Sequence, residues 1–430
     1  MSLSLLLLLL LVCSAQASHY YGSVMTYYPK TTNADGSMTV DLHYNLNIHC
    51  GSVFTVLTCS SNNCGTAVVH SVSKESDIFT WCQNEGLVTL QVPPNAPFQL
   101  LLSGGAWINF IRNSIGSVKA VTLVEPRNRS DTSQANRSPQ TNILALVRVP
   151  SNCPRDFNLL TFDLDGDQVK CRYANSTLSE CDQCTPPSVL NLSTQSCILS
   201  FSPTDSINEG PWAVQLVMED FPTQNITLTR TDGVQTTITT NNAISQLPVQ
   251  FVLRVDRAVP SCTEGLYLPK FLPPTPDNKA QLYAPVDETL EISINATANI
   301  SMISDLLFSG PYNMNQTTLG AGQYILSWTP SENQTGESHP VCFVVQAVFN
   351  SVTYQSELRC VIVNVGYDPF PIPIFLGLRM KVSALFSLSE DYIIDNIVEL
   401  IRAELLSQGL PSDLPLKLNF STTAPSAVSP

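Results

Sequence analysis

Residues 322–365, GQYILSWTPSENQTGESHPVCFVVQAVFNSVTYQSELRCVIVNV, contain three apolar runs: QYILSW, VCFVVQAV and LRCVIVNV. They are rich in β-branched and aromatic residues and broken by Pro, Ser, Asn and Gly, the pattern of antiparallel strands joined by turns. The last two runs flank Phe349-Asn350-Ser351-Val352, which predicts a hairpin. A turn centred on Ser351 sets Cys342 opposite Cys360. Opposed residues in a non-hydrogen-bonded pair have Cα atoms about 4.5 Å apart, inside the window of about 4.4–6.8 Å that a disulfide spans. A Cys342–Cys360 bridge is therefore expected to staple the last hairpin of a β-sandwich, contributing about 3 kcal/mol.

Sulfur of this kind needs an oxidising compartment, and the N-terminus supplies a route to one. Met1–Ala17 reads as a signal peptide, with a short apolar run, Leu5–Val12, and a small-x-small site, Ala15-Gln16-Ala17, before Ser18. Its removal takes Cys13 away and leaves twelve of thirteen cysteines, an even number. Ten N-x-S/T sequons start at Asn128, Asn136, Asn175, Asn191, Asn225, Asn295, Asn299, Asn315, Asn333 and Asn419. Behind a signal peptide they predict a secreted glycoprotein or the ectodomain of a surface protein, with each used site at the surface. No later stretch approaches the ~20 apolar residues of a membrane span. With 35 acidic against 21 basic residues the net charge is −14, which argues against nucleic acid or anionic membrane as partners.

The expected fold is mainly β, in tandem antiparallel β-sandwich domains with a small C-terminal β-α-β segment. Residues 18–125 form the first β domain, with a turn at Asp35-Gly36 and Cys50, Cys59, Cys64 and Cys82 in two bridges whose connectivity the sequence leaves open. Residues 126–141, PRNRSDTSQANRSPQT, hold no large apolar side chain and carry two sequons, which predicts an exposed, glycosylated linker. Residues 142–258 make a sandwich in which Cys153, Cys171, Cys181, Cys184 and Cys197 pair among themselves and with Cys262 at the next boundary. Residues 259–366 are a second sandwich. In 367–430, the capping box Ser387-Leu388-Ser389-Glu390 and an apolar stripe from Ile393 to Leu405 predict a helix between two strands, and the last residues read as disordered.

Thr161-Phe162-Asp163-Leu164-Asp165-Gly166-Asp167, followed by VKCRY and later by Trp212–Asp220, resembles cadherin-like and dystroglycan-type Ig-like repeats. These pair a D-x-DGD turn with a later strand ending in an acidic residue. PKFLPPTPDN, SGPYNM, the 322–365 segment and the opening SHYYGSVMTYYPKTTNADGSMTVDLHY resemble a family of vertebrate secreted and cell-surface proteins. In that family such ectodomains precede other modules, sometimes a zona pellucida-type polymerisation module. The resemblance covers about 19–366, and no zona pellucida-type pattern follows it here, so it does not extend to filament assembly.

On this pattern Asp163, Asp165 and Asp167 can ligate Ca²⁺, a hard cation that prefers oxygen, with Glu219 and Asp220 closing the site where the strand ends meet. The plainer alternative is an exposed turn with Gly166 at positive φ. Calcium is the one cofactor expected. Cys181-Asp182-Gln183-Cys184 reads as a structural disulfide rather than a redox or zinc pair. His43, His49 and His70 are expected to be packed or solvated rather than metal-bound, and Trp107, Trp212 and Trp328 to be core residues. Neither H-E-x-x-H nor G-x-S-x-G occurs, so no catalytic residue is assigned and the chain is not expected to be an enzyme. The function expected is binding of an extracellular protein or glycan, in cell adhesion, matrix or egg-coat structure, or ligand recognition. A secreted enzyme or enzyme inhibitor is the alternative.

Overall fold

The computed structural model describes residues 18–34, 36–50, 57–59, 68–75, 81–92 and 96–366. Their regular structure is almost entirely β and sandwich-like, with three short 3₁₀ turns. The signal-like segment Met1–Ala17 and the C-terminal β-α-β segment, with its helical stripe and Asn419, lie outside the described residues.

The largest sheet has eleven strands and runs through both of the first two expected domains. Ser18–Thr32, Phe98–Trp107 and Ser117–Val124 come from the first, and Gln168–Tyr173, Gly210–Phe221 and Gln246–Asp256 from the second. Gln246–Asp256 pairs with Gly210–Phe221, Ser117–Val124 and Ser18–Thr32, and runs parallel to Leu146–Pro150. Ser18–Thr32 in turn pairs with Phe98–Trp107, which pairs with Ser117–Val124, so four strands close into a ring. Tyr20, Trp107, Leu100, Ala120 and Val252 pack together in the same core. A boundary at 125/142 is therefore not a break in the structure. Gln246–Asp256 has neighbours on both edges and buried side chains on both faces, which explains its nearly continuous apolar run PVQFVLRV. Met38–His49 faces the core on one side only and alternates, with Met38, Val40 and Leu42 buried.

The 126–141 segment differs most from expectation. Pro126, Arg129, Ala135, Asn136, Ser138, Pro139, Gln140 and Thr141 are buried, and Asn128–Arg129 pairs with Ile226–Thr229. A polar sequence enters an interior when most of its polar groups find partners. Here the Tyr27 amide donates to Ser138 Oγ at 2.9 Å, and Gln140 exchanges backbone hydrogen bonds with Phe162.

A three-stranded sheet, Arg155–Asn158, Ile198–Phe201 and Leu190–Ser193, packs Phe157, Leu199 and Phe201 against Trp212, Val214 and Phe251 of the large sheet. In 259–366 two sheets face each other. One holds Lys270–Leu272, Leu290–Thr297, Gln323–Trp328 and Asn315–Gly320; the other holds Gln281–Ala284, Arg359–Val365, Ser338–Phe349, Met302–Ser309 and Val352–Gln355. Ile292, Ile294, Leu326, Phe343 and Val361 fill the space between them.

The last hairpin turns at Asn350-Ser351, both at positive φ, and a one-residue register shift between Val352–Gln355 and Arg359–Val365 sets Cys342 opposite Cys360 in a disulfide with Cα atoms 4.0 Å apart. Cys153–Cys262, Cys171–Cys197 and Cys181–Cys184 are paired, as is Cys50–Cys82, and Cys59 is also disulfide-bonded. Trp107, Trp212 and Trp328 are all buried.

Candidate functional site

The acidic turn is built by its own backbone. Asp163 Oδ1 accepts from the amides of Asp165 at 2.9 Å and Asp167 at 3.1 Å, and Gly166 turns the chain at φ +80°. The strand that follows pairs with Gly210–Phe221 so that Val169 stands opposite Asp220. Ligand oxygens of Asp163, Asp167 and Asp220 thus lie within 4.8 Å of one another. Glu219 does not join them. Successive strand residues point to opposite faces, and Glu219 accepts from Arg172 Nε at 3.0 Å, Arg172 Nη2 at 2.9 Å and Gln246 Nε2 at 2.9 Å. Asp165 stands at the edge, accepting from the Arg137 amide at 2.8 Å.

The sequence reading missed what stands among these carboxylates. The buried Arg129 guanidinium forks onto Asp131, Nε at 3.0 Å and Nη2 at 2.7 Å, and onto both oxygens of Asp167, Nη2 at 2.8 Å and Nη1 more closely. Its Nη1 also reaches Asn136 Oδ1 at 2.6 Å and Asp165 at 3.5 Å. Asn136 Nδ2 donates to Asp220 Oδ2 at 2.7 Å, and Asp220 Oδ1 accepts from the Ser245 amide and hydroxyl. Five of the six carboxylate oxygens of Asp163, Asp167 and Asp220 therefore already accept hydrogen bonds, and only Asp163 Oδ2 does not. Calcium takes six to eight oxygens, so this set, with five of its six oxygens committed and Asp167 already paired to Arg129, does not fit Ca²⁺. Burial, then repulsion from Asp220, Asp167 and Asp165, pushes the Asp163 carboxyl well above the usual range.

Asn136 carries a second correction. It is fully buried and its amide is committed to the network, so it is not a surface sequon. Asn128, Asn175, Asn191, Asn225, Asn299, Asn315 and Asn333 are exposed, and Asn295 is half-buried.

A second site has no sequence signature because segments far apart in the chain build it. A cleft of about 380 Å³ opens between the face of Ser18–Thr32, Met38–His49 and Trp81–Val92 and the 310–340 region. Cross-strand pairing sets Val24, Asn45 and Glu85 in one row of the floor and Thr26, His43 and Leu87 in the next. Tyr312, Trp328, Glu337 and His339 stand across from them, and Gln140 and Thr141 close one side. The walls are tied together: Tyr28 donates its hydroxyl to Ser338 O, Lys30 pairs with Glu337, and Asn142 Nδ2 donates to Pro340 O at 3.4 Å.

His339 Nε2 lies 2.9 Å and His43 Nε2 3.9 Å from Glu337 Oε2. Burial opposes the Glu337 carboxylate, yet the His339 hydrogen bond and the charges of His339, His43 and Lys30 outweigh it and hold the group at about 2. Burial, helped by His339 and Lys30 against Glu337, depresses His43 to about 4. His43 is thus a neutral ring in the folded protein. A base whose folded pKa is depressed contributes stability above its unfolded value of 6.5, and that stability is lost as pH falls toward about 4. Acidification across this window is expected to cost on the order of 2 kcal/mol. The slope of stability between pH 6.5 and 4, read by urea unfolding, should flatten in His43→Gln. Glu337 adds a separate loss at lower pH, between its ordinary 4.5 and about 2. His49 bonds the Cys50 carbonyl at 3.0 Å, outside this group, and the His70 side chain is outside the described ones.

No protein-family model matches the sequence, nor does any curated protein. Among solved structures, an endo-fucoidan hydrolase of glycoside hydrolase family 107 is similar at 14% identity over 75% of this chain, with a TM-score of 0.18. The chain spans 42% of that enzyme's length. Drosophila N-cadherin EC1-4 is similar at 9% identity, over 80% of this chain and 92% of its own, at TM-score 0.17. The insect immune protein hemolin is similar at 7% identity, over 80% and 92%, at TM-score 0.16. Likeness at this level assigns no family. What fold and cross-links define is a disulfide-bonded β protein of sandwich-like build. Among the described residues no helix is long and apolar enough to cross a membrane.

Proposed function

We propose that this chain is an extracellular glycoprotein that acts by binding, and that the cleft between the N-terminal sheet face and the 310–340 region is its recognition site. One observation carries this reading. Asn45 Oδ1, His43 Nε2, Gln140 Oε1 and Thr141 Oγ1 are buried polar atoms without a hydrogen-bond partner in the protein, and all four belong to residues lining this cleft. A buried polar group left unpaired costs about 1–3 kcal/mol, so a cluster of them calls for an outside partner. Two are amide oxygens, which only accept, and His43 and Asn45 are two strand positions apart, about 7 Å. A ligand with hydroxyl donors spread over that distance, a glycan, meets the set better than a single ammonium. Tyr312, 37% exposed at the rim, offers a ring for a sugar face. The five disulfides between described residues, the leader-like N-terminus and seven exposed sequons among those residues support an extracellular setting. Adhesion and matrix or egg-coat assembly are the settings in which such binding would serve.

The test is binding of the secreted, glycan-intact chain to an immobilised glycan panel and to extracellular-fluid proteins. Thr141→Val removes a hydroxyl and keeps the shape. It should leave stability unchanged or slightly higher while weakening glycan binding about five- to tenfold. No saturable glycan binding, or binding indifferent to Thr141→Val and Tyr312→Ala, would sink the cleft as the site.

The enzyme reading draws on the same place, because Glu337, His339 and His43 form a perturbed acid–base group inside a cleft. Glu337 is held ionised by Lys30 and His339, which suits a fixed anchor rather than a proton donor. Turnover of a glycan bound by the wild type, abolished in Glu337→Gln, would favour that reading.

A further inference from the structure

We propose that Arg129 is the resident cation of the acidic turn, a covalently tethered charge that pairs with Asp167 and Asp165 and so takes them from any metal, leaving the turn folded without one. Every N–H of its guanidinium has an acceptor. Nε and Nη2 meet Asp131, Nη2 and Nη1 meet Asp167, and Nη1 meets Asn136. The planar fork suits paired carboxylate oxygens, whereas a spherical ion would need them converging on one point. The side chain is completely buried, and a buried charge of this kind persists only when it is paired and fully hydrogen-bonded.

Placement follows from the backbone. Leu228 pairs with Arg129 and Thr229 with Asn128, which fixes the segment against Ile226–Thr229. The Ser133 amide returns to the Arg129 carbonyl at 3.0 Å, and the Ser130 amide to the Thr227 carbonyl at 2.9 Å. Asn136, seven residues on, completes the lock by accepting from Arg129 and donating to Asp220. The burial of 126–141 and the closure of the acidic turn are therefore one event. A glycan on Asn136 would remove a donor that the lock uses, so the folded protein carries this asparagine bare.

The test compares thermal unfolding of the secreted full chain in EDTA and in 5 mM CaCl2, with calorimetric titration of Ca²⁺ alone. Wild type should unfold within about 1 °C in both and give no saturable heat. Arg129→Gln should lower Tm by about 5–10 °C in EDTA and recover part of that loss on adding Ca²⁺, because the carboxylates are then free to converge on an ion. Should Arg129→Gln fail to fold, Asp163→Asn decides. It removes a carboxylate that Arg129 does not touch, and its Tm should equal or exceed that of wild type in either buffer. A wild-type Tm that rises several degrees with Ca²⁺, with the rise lost in Asp163→Asn, overturns the proposal. Peptide mapping should find Asn136 unmodified, and a stoichiometric glycan there would also overturn it.

Discussion

Gly22→Ala is expected to destabilise the chain by more than about 4 kcal/mol and to abolish the yield of folded protein. Gly22 has φ +142°, and a Cβ there would lie 2.1 Å from Gln250 O and 2.7 Å from Phe251 Cα. Those are backbone atoms of Gln246–Asp256, the strand that joins most of the large sheet, so no side chain can swing aside to make room. Ser23 and Val24 pair with Gln250 and Val249 immediately beyond it. The Tyr20 hydroxyl fastens the same crossing, 2.6 Å from Ser23 Oγ and donating to Gln250 Oε1 at 2.8 Å. A methyl group must therefore part the strands that close the four-strand ring. Gly166→Ala is the control. Its φ is +80°, but nothing lies within 4 Å of the added carbon, so it should cost only about 1 kcal/mol. The yield of folded protein and the urea midpoints of the two variants make the comparison. Equal effects would show that the close approach, and not backbone preference, had been overestimated.

Removing Cys153–Cys262 through the double Cys→Ser variant should cost about 4–5 kcal/mol. The bridge closes a sequence separation of 109 residues, against 26 for Cys171–Cys197 and 3 for Cys181–Cys184. If constraint of the unfolded chain is the main contribution, the losses should fall in that order, to about 2 kcal/mol for the shortest loop. Cys153 also packs with Val259, Leu268 and Tyr354, so its bridge pins the start of the 259–366 sandwich onto the preceding one. Guanidinium unfolding of the three double variants tests the ranking, and three similar losses would assign the effect to native packing instead.

Local pattern made the strands legible, and pairing distance hid the architecture. Alternation in Met38–His49 and the buried run of Gln246–Asp256 are properties of neighbouring residues, so both could be read from the sequence. The Cys342–Cys360 pairing was legible from a turn centred on Ser351, although the Asn350-Ser351 turn alone would set Cys342 opposite Arg359 and a one-residue shift before Arg359–Val365 restores the pair. The shared large sheet was not, since no local signal says that Ser23 pairs with Gln250. Composition misled at 126–141, where polar residues are buried against one another and not in water. Strand alternation alone separates Glu219 from Asp220, so that part of the acidic site could have been corrected in advance. Arg129 could not, because its partner Asp167 lies 38 residues away. The cleft likewise gathers His43, Gln140 and His339, which share no motif.

The ring of strands also sets a clock on biosynthesis. Tyr20 waits for Gln250, 230 residues further along, and at about 5–20 residues per second that delay is on the order of 10–50 s. Throughout it the emerging N-terminal half offers open backbone edges to its surroundings. The edge of Ser18–Thr32 that Gln246–Asp256 covers therefore stays unpaired through that interval, and closure of the large sheet comes late in synthesis.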